Sequence, residues 1–342
     1  MTDLAYAGIW RMTSGAFLTQ IVIGAVGLRF YMPSSSLSEE GCRQRMAADQ
    51  AESLVVEPLA APFGAIVRGL VFADQTSPET VAQVEQAIGQ YQVLVFRGHQ
   101  PLRDAQLAEF TRHFGVRNVK SSRQMEFTRD GYPEIVLISN VIENGKPIGT
   151  VGDKSLHWHA DLAHSHHNVR FGFLDAVEVP REGGNTIFAS GYAALEALSP
   201  SQREEAAELE VYHVGPGSEY PKPGDVRGPD DPEPMRRPLV VTNPTTGRRA
   251  LFLSHLRGDS RNRVVDQSRA DQVEALTAHI TSPRFVYEHH WEVGDLVMWD
   301  QIGLLHARHA LPPERRILRQ VTVKVPFPEE AMWGSAALAG TA

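Results

Sequence analysis

The chain has 342 residues, 42% of them hydrophobic, a formal charge of −8 and a pI near 6.0. That length and apolar content support a substantial core in one large or two ordinary domains, while the acidic balance argues against nucleic acid or an anionic membrane as partner and leaves room only for a local basic pocket, such as Arg315, Arg316 and Arg319. Cys42 is the single cysteine, which excludes an intrachain disulfide and cysteine-ligated zinc and makes the cytoplasm the expected compartment.

Residues 1 to 52 read as an N-terminal extension. Ala16 to Leu28 is an apolar run between Arg11 and Arg29, well short of the roughly 20 residues that a membrane-spanning helix requires. No small-x-small cleavage site follows it, so an accessory helix or a poorly ordered extension is expected in place of a secretory signal. Met46 stands just ahead of the first regular patterning, which raises the reading that the biological start lies downstream of Met1. A peptide from residues 1 to 40 in the native protein would refute that.

From Leu54 the pattern is that of a folded domain, expected over 53–328, with 329–342 as a tail. Leu54 to Val56 and Ala65 to Val67 read as short strands separated by Pro58, Pro62 and Gly64. Ser77-Pro78 starts a helix, with Ser77 as cap and Val81, Val84 and Ile88 at helical spacing. Tyr91 to Phe96 is apolar throughout and predicts an interior strand; a second helix follows from about Arg103 to Phe114, stopped by Gly115. Ile135 to Ile138 is another buried strand, and Glu143-Asn144-Gly145 a turn. Phe171 to Val179 and Thr186 to Ala189 bracket Glu182-Gly183-Gly184-Asn185 as an expected hairpin. Ser199-Pro200 caps an acidic helix. Gly215 to Pro238, rich in proline and glycine, reads as a long loop and a candidate lid. Leu239 to Val241 and Ala250 to Leu253 flank another turn, and Ser268 to Ile280 is a helix. Strands Phe285 to Glu288, Leu296 to Trp299 and Val321 to Val325 close the chain. No internal repeat and no glycine-rich phosphate loop is present. A mainly β fold, a sandwich or barrel with helices packed outside, is the economical reading.

Chemistry concentrates at Leu156-His157-Trp158-His159-Ala160-Asp161. On an extended segment, His159 and Asp161 point to one face, so an imidazole and a carboxylate converge. A nitrogen and oxygen donor set that leaves half the coordination sphere open suits non-haem Fe(II), and a second, distant histidine must complete it. His157 with His159 could instead form the His-x-His of a cupin-type site, and the Ser165-His166-His167-Asn168 run reads as a polar loop. Trp299-Asp300 ends a strand, and His306 follows, with His309 as its rival. Ten residues past His306 lies Arg316, where alternation puts Arg316, Leu318, Gln320 and Thr322 on one face and Ile317, Arg319, Val321 and Val323 on the other. If the valines face flanking structure, Arg316 looks into the barrel. A cation there is costly unless an anion meets it, and a dicarboxylate cosubstrate reaching from the metal would do so. Arg315 and Arg319 are the outward-facing alternatives.

His159-x-Asp161, Gly183-Gly184-Asn185-Thr186, Trp299-Asp300 with His306, and Arg316 stand in the order of the signature of the TauD/TfdA family of Fe(II)- and 2-oxoglutarate-dependent dioxygenases, which the chain resembles from about residue 53 to 328, including PLAAPFGAIVRGL and NPTTGRRALFLS. The resemblance implies a double-stranded β-helix (jelly-roll) with flanking helices, iron held by His159, Asp161 and His306, and 2-oxoglutarate held by Thr186 and Arg316. It implies a reaction with O₂ that oxidises a C–H bond of a small organic molecule and releases succinate and CO₂, and a dimer or tetramer. His157 and Gln320 are candidates for the substrate pocket. Two departures bear on substrate and turn. Sulfonate-oxidising members carry an Arg where Gln320 stands, which disfavours taurine, and the common Trp-Asp-Asn-Arg is here Trp299-Asp300-Gln301-Ile302. The alternative reading is a cupin-like metal-binding jelly-roll or isomerase without 2-oxoglutarate turnover.

Overall fold

The structure is a computed structural model, and it describes residues 18–22, 29–33, 54–72, 75–118, 122–165, 169–214, 235–254 and 263–333. The chain falls into two compact units, Met1–Ser53 and Leu54–Ala342. In the first, Leu18–Val22 and Arg29–Pro33 pair as antiparallel strands where a helix or poor order was expected. Thr19, Ile21 and Val22 are β-branched, and such residues suit a strand better than a helix. The predicted polar run at 166–168, most of the 215–238 loop and the tail beyond Trp333 lie outside the described residues.

The second unit is built on two sheets. The larger has nine strands and runs in the order Thr150–Val151, Tyr132–Ser139, Ile317–Lys324, Val169–Glu178, Leu296–Asp300, Val93–Phe96, Ala65–Arg68, Val55–Pro58, with Thr128–Arg129 beside Tyr132–Ser139. The smaller runs Leu156–His159, Leu304–Arg308, Thr186–Ser190, Val286–His289. Val95, Val136, Leu174, Trp299 and Leu318 from the larger sheet bury against Phe188 and Leu304 from the smaller, so the two sheets enclose a jelly-roll interior.

The helices cover the outside. Ser77 accepts the Thr80 backbone N–H at 3.1 Å and Pro78 takes the first position of helix Pro78–Tyr91, the cap and start that those residue types favour. With helix Asp104–Arg112, it lays Val84, Ile88, Leu107 and Phe110 on Phe171, Phe173, Val321 and Val323 of the larger sheet. Burying each such side chain contributes about 1.5–3 kcal/mol. A third cluster joins Leu305 of the smaller sheet to helices Gly191–Glu196 and Ala270–Ile280 and the hairpin Val240–Thr242 with Arg249–Leu251. Among the described residues, no helix is long and apolar enough to cross a membrane.

Three expectations are corrected. Val169–Glu178 and Thr186–Ser190 do not form a hairpin: the first pairs with Leu296–Asp300 and Ile317–Lys324, the second with Leu304–Arg308 and Val286–His289. Gly183 and Gly184, at φ of 76° and 67°, turn the chain from one sheet into the other instead of back along the same one. The expected tail begins with a helix, Glu329–Trp333, whose Met332 and Trp333 are buried in the third cluster. Arg319 does not face solvent. It is 6% exposed beneath the helices, where it donates to both Asp175 and Asp104.

Candidate active site

Local structure aims the first pair. The strand Leu156–His159 stops at His159 and Asp161 opens a turn, so the strand is shorter than the motif implied. Ser254 holds the residue between them, its hydroxyl accepting from the Ala160 N–H at 3.1 Å and donating to the Ala160 carbonyl at 3.2 Å. His159 Nδ1 lies 2.7 Å from the His157 carbonyl oxygen. A carbonyl can only accept, so that nitrogen carries the proton and Nε2 keeps its lone pair for a ligand. The His157 side chain is exposed, and what His157 contributes is this backbone oxygen.

Tertiary structure supplies the third donor. In the smaller sheet, His306 sits directly across from His159, with ring centroids 4.1 Å apart. Trp299 and Phe188 back the His306 ring at 5.1 and 6.4 Å. Asp161 Oδ1 is 3.7 Å from His159 Nε2 and 3.9 Å from His306 Nε2, and the donor atoms of all three residues lie within 4.8 Å of one another. Metal–ligand bonds of about 2.0–2.2 Å let donors up to roughly 4.2 Å apart share an ion, and both Asp161–histidine separations fall within that reach. Two imidazole nitrogens and one carboxylate oxygen suit Fe(II), so the residues fit the metal. His157 and His309 are outside this cluster, and both side chains are exposed, which removes the structural basis of the His-x-His alternative.

Arg316 takes the inward position that alternation assigned to it. It is 1% exposed; its Nε donates to the Gly184 carbonyl at 3.0 Å and its guanidinium lies 5.9 Å from the Trp291 ring centroid. Gly184 has a φ of 67°, which disfavours any other residue, and a Cβ there would crowd Pro180 Cγ at 3.0 Å and Arg316 Cδ at 3.3 Å. Burial, helped by the neighbouring cation Arg308, pushes the Arg316 pKa down to about 9, and among the described residues no carboxylate offsets it. Thr186, 3% exposed, meets the same indole, its hydroxyl oxygen accepting from Trp291 Nε1 at 3.2 Å. An indole N–H can only donate, so the threonine O–H remains able to donate to a carboxylate. Gln320, on the Arg316 face, donates through Nε2 to Asp161 Oδ2 at 3.2 Å.

Several contributors were not legible in the sequence. Asn140 Oδ1 accepts the Arg316 N–H at 2.8 Å and fixes where that strand begins. Trp291 joins Thr186 to Arg316. Gln301 reaches Asp161 from the turn before His306; its place directly after Trp299-Asp300 was the one available signal. Asp300 itself is fully buried, accepting from Tyr192 and Asn243, and burial pushes its carboxyl above the ordinary range.

Fold and site together define a class: a jelly-roll with a two-histidine, one-carboxylate cluster beside a buried cation. The family model described as taurine catabolism dioxygenase TauD, TfdA family matches residues 56–322. The chain is 34% identical over 285 residues to a pentalenolactone F synthase of Streptomyces arenae, covering 76% of this chain and 92% of that one. It is 33% identical over 272 residues to an alpha-ketoglutarate-dependent 2,4-dichlorophenoxyacetate dioxygenase of Burkholderia sp. (strain RASC), covering 75% and 89%. The solved structure of AAD-2 in complex with Mn(II) and N-oxalylglycine matches with a TM-score of 0.62 at 27% identity, covering 81% and 99%. The chain belongs to the TauD/TfdA family and is a 2-oxoglutarate-dependent dioxygenase.

Proposed function

We propose that His159, Asp161 and His306 hold Fe(II), that Thr186 and Arg316 hold the far carboxylate of 2-oxoglutarate, and that the enzyme hydroxylates a C–H bond of a small organic substrate. The observation that carries this reading is the meeting of the three donors within 4.8 Å, with the buried Arg316 on the same strand face as Gln320, which reaches Asp161. Bound iron and 2-oxoglutarate supply the oxidising chemistry, in which the cosubstrate is decarboxylated to succinate and CO₂ at the expense of O₂. The chain's own residues bind and aim. The His157 carbonyl holds His159 in the ligating tautomer, Trp299 and Phe188 hold the His306 ring, and Arg316 with Thr186 clamps a carboxylate by charge-assisted hydrogen bonds.

Gln320 is neutral, which supports a substrate without a sulfonate at that position, and the relatives named above support a substrate other than taurine. Of the two substrate-pocket candidates, Gln320, which reaches Asp161, is the residue we assign to the substrate side, whereas His157, its side chain exposed, acts through its backbone carbonyl on His159. The single cysteine supports a cytoplasmic location, and the charge of −8 supports small molecules and O₂ as partners over nucleic acid or membrane. The test is succinate formation from 2-oxoglutarate with Fe(II), ascorbate and O₂ over a panel including taurine and 2,4-dichlorophenoxyacetate. Stimulation by a substrate that is not a sulfonate, and none by taurine, is expected. Failure of 2-oxoglutarate to bind the anaerobic Fe(II) protein would overturn the reading.

A further inference from the structure

The Asp161 carboxylate is reached by two amides. Gln301 engages Asp161 twice: its Oε1 accepts from the Asp161 backbone N–H at 3.2 Å and its Nε2 donates to Oδ2 at 2.7 Å. A backbone N–H can only donate and an ionised carboxylate can only accept, so this pairing permits a single orientation of the amide. Gln320 Nε2 donates to the same oxygen at 3.2 Å. The other oxygen, Oδ1, is the one turned to His159 and His306, at 3.7 and 3.9 Å. The two carboxylate oxygens are thus divided, one loaded with amide hydrogens and the other facing the point where the imidazoles converge.

Gln301 acts from a rigid base. It is 2% exposed, its own N–H donates to the Arg170 carbonyl at 3.0 Å, and the adjacent Asp300 is tied by Oδ1 to the Ile302 N–H at 2.8 Å and by Oδ2 to the Tyr192 hydroxyl at 2.6 Å. An aspartate that ligated through both oxygens would occupy a coordination position that the cosubstrate or O₂ needs. We infer that Gln301, with Gln320, is a positioning residue that confines Asp161 to one-oxygen ligation through Oδ1 and so keeps that position open. This rests on the reading of the triad as the metal site.

The experiment uses Mn(II) and the full chain. Gln301→Met keeps the length of the side chain and removes both bonds, and Gln320→Met removes one. Free Mn(II) is followed by electron paramagnetic resonance to give the dissociation constant, water proton relaxation reports how many exchangeable waters the bound ion keeps, and circular dichroism and melting of the metal-free protein report folding. Metal affinity should weaken about 10- to 100-fold in Gln301→Met, the loss typical when a group that orients a ligand is removed, and several-fold in Gln320→Met. The relaxation enhancement per bound ion should drop as the second oxygen takes a water's place. A folded Gln301→Met protein with affinity within about threefold of the parent and unchanged relaxation overturns the inference. If Gln301→Met does not fold, Gln320→Met decides, and an unchanged dissociation constant there overturns it. Asp161→Ala separates the two readings: should it leave Mn(II) binding intact, the metal site itself is wrong, whereas loss of binding in Asp161→Ala with none in the glutamine variants sinks only the role of the amides.

Discussion

Replacing Arg316 by methionine should make the cosubstrate-free protein more stable while abolishing its response to 2-oxoglutarate. Arg316 is 1% exposed and its pKa falls from 12.5 to about 9, so its charged form is disfavoured in the folded state. At about 1.36 kcal/mol per unit, that corresponds to an upper bound of roughly 5 kcal/mol of unfavourable interaction at neutral pH. Methionine also loses the bond to the Gly184 carbonyl, and leaving that oxygen unsatisfied costs about 1–3 kcal/mol. The burial term wins, for a net gain on the order of 2 kcal/mol, in line with the neutral to favourable outcome of replacing buried charges by apolar groups of similar size. In a unit of this size that is about 3 °C in melting temperature. Differential scanning calorimetry of the metal-loaded parent and variant, with and without 2-oxoglutarate, measures both halves. Ligand at 100 times its dissociation constant should stabilise the parent by about 2.7 kcal/mol and leave the variant unmoved. A variant that melts below the parent without cosubstrate, or that 2-oxoglutarate still stabilises, refutes the argument that Arg316 is a charge awaiting an anion.

Gly172→Ala should be severe, because the new Cβ would lie 2.2 Å from Cζ2 of the fully buried Trp299, which backs His306. Overpacking of this kind costs about 1–3 kcal/mol or more, so we expect a lower melting temperature together with weaker Mn(II) binding; parent-like melting would show that the Trp299 pocket has room. Acid should unfold the protein partly through Asp295, which Arg97 and His289 hold at a pKa of about 2 against the cost of its burial. A folded-state pKa below the ordinary 3.8 means that the folded protein binds fewer protons there. The stabilisation, on the order of 2 kcal/mol, is complete above about pH 5 and is lost as pH falls through 3.8 toward 2. Asp295→Asn should flatten the urea-unfolding stability profile across that window, and an unchanged profile would contradict it.

The hairpin expected across Gly183-Gly184 shows where sequence reasoning stopped. Both flanking strands were identified, and two glycines suited a turn, yet the turn joins different sheets. Strand-forming character depends on the side chains of four to eight adjacent residues; sheet membership depends on which distant backbone offers unpaired N–H and C=O groups, and nothing local records that. Arg319 failed in a related way. Alternation correctly set it opposite Arg316, but whether that face meets solvent or helices depends on Asp104 and Asp175 arriving from elsewhere.

By itself the sequence determined the donor types, the His159-x-Asp161 pair and the shared face of Arg316 and Gln320, because each depends on backbone geometry over a few residues. Only the tertiary structure decided that His306 lies across from His159, that Trp291 links Thr186 to Arg316, and that Gln301 grips Asp161. Each of those meetings comes from long-range strand pairing and burial. In such pairing one register brings two imidazoles face to face, and a slip of one residue would turn His306 to the other side of its sheet.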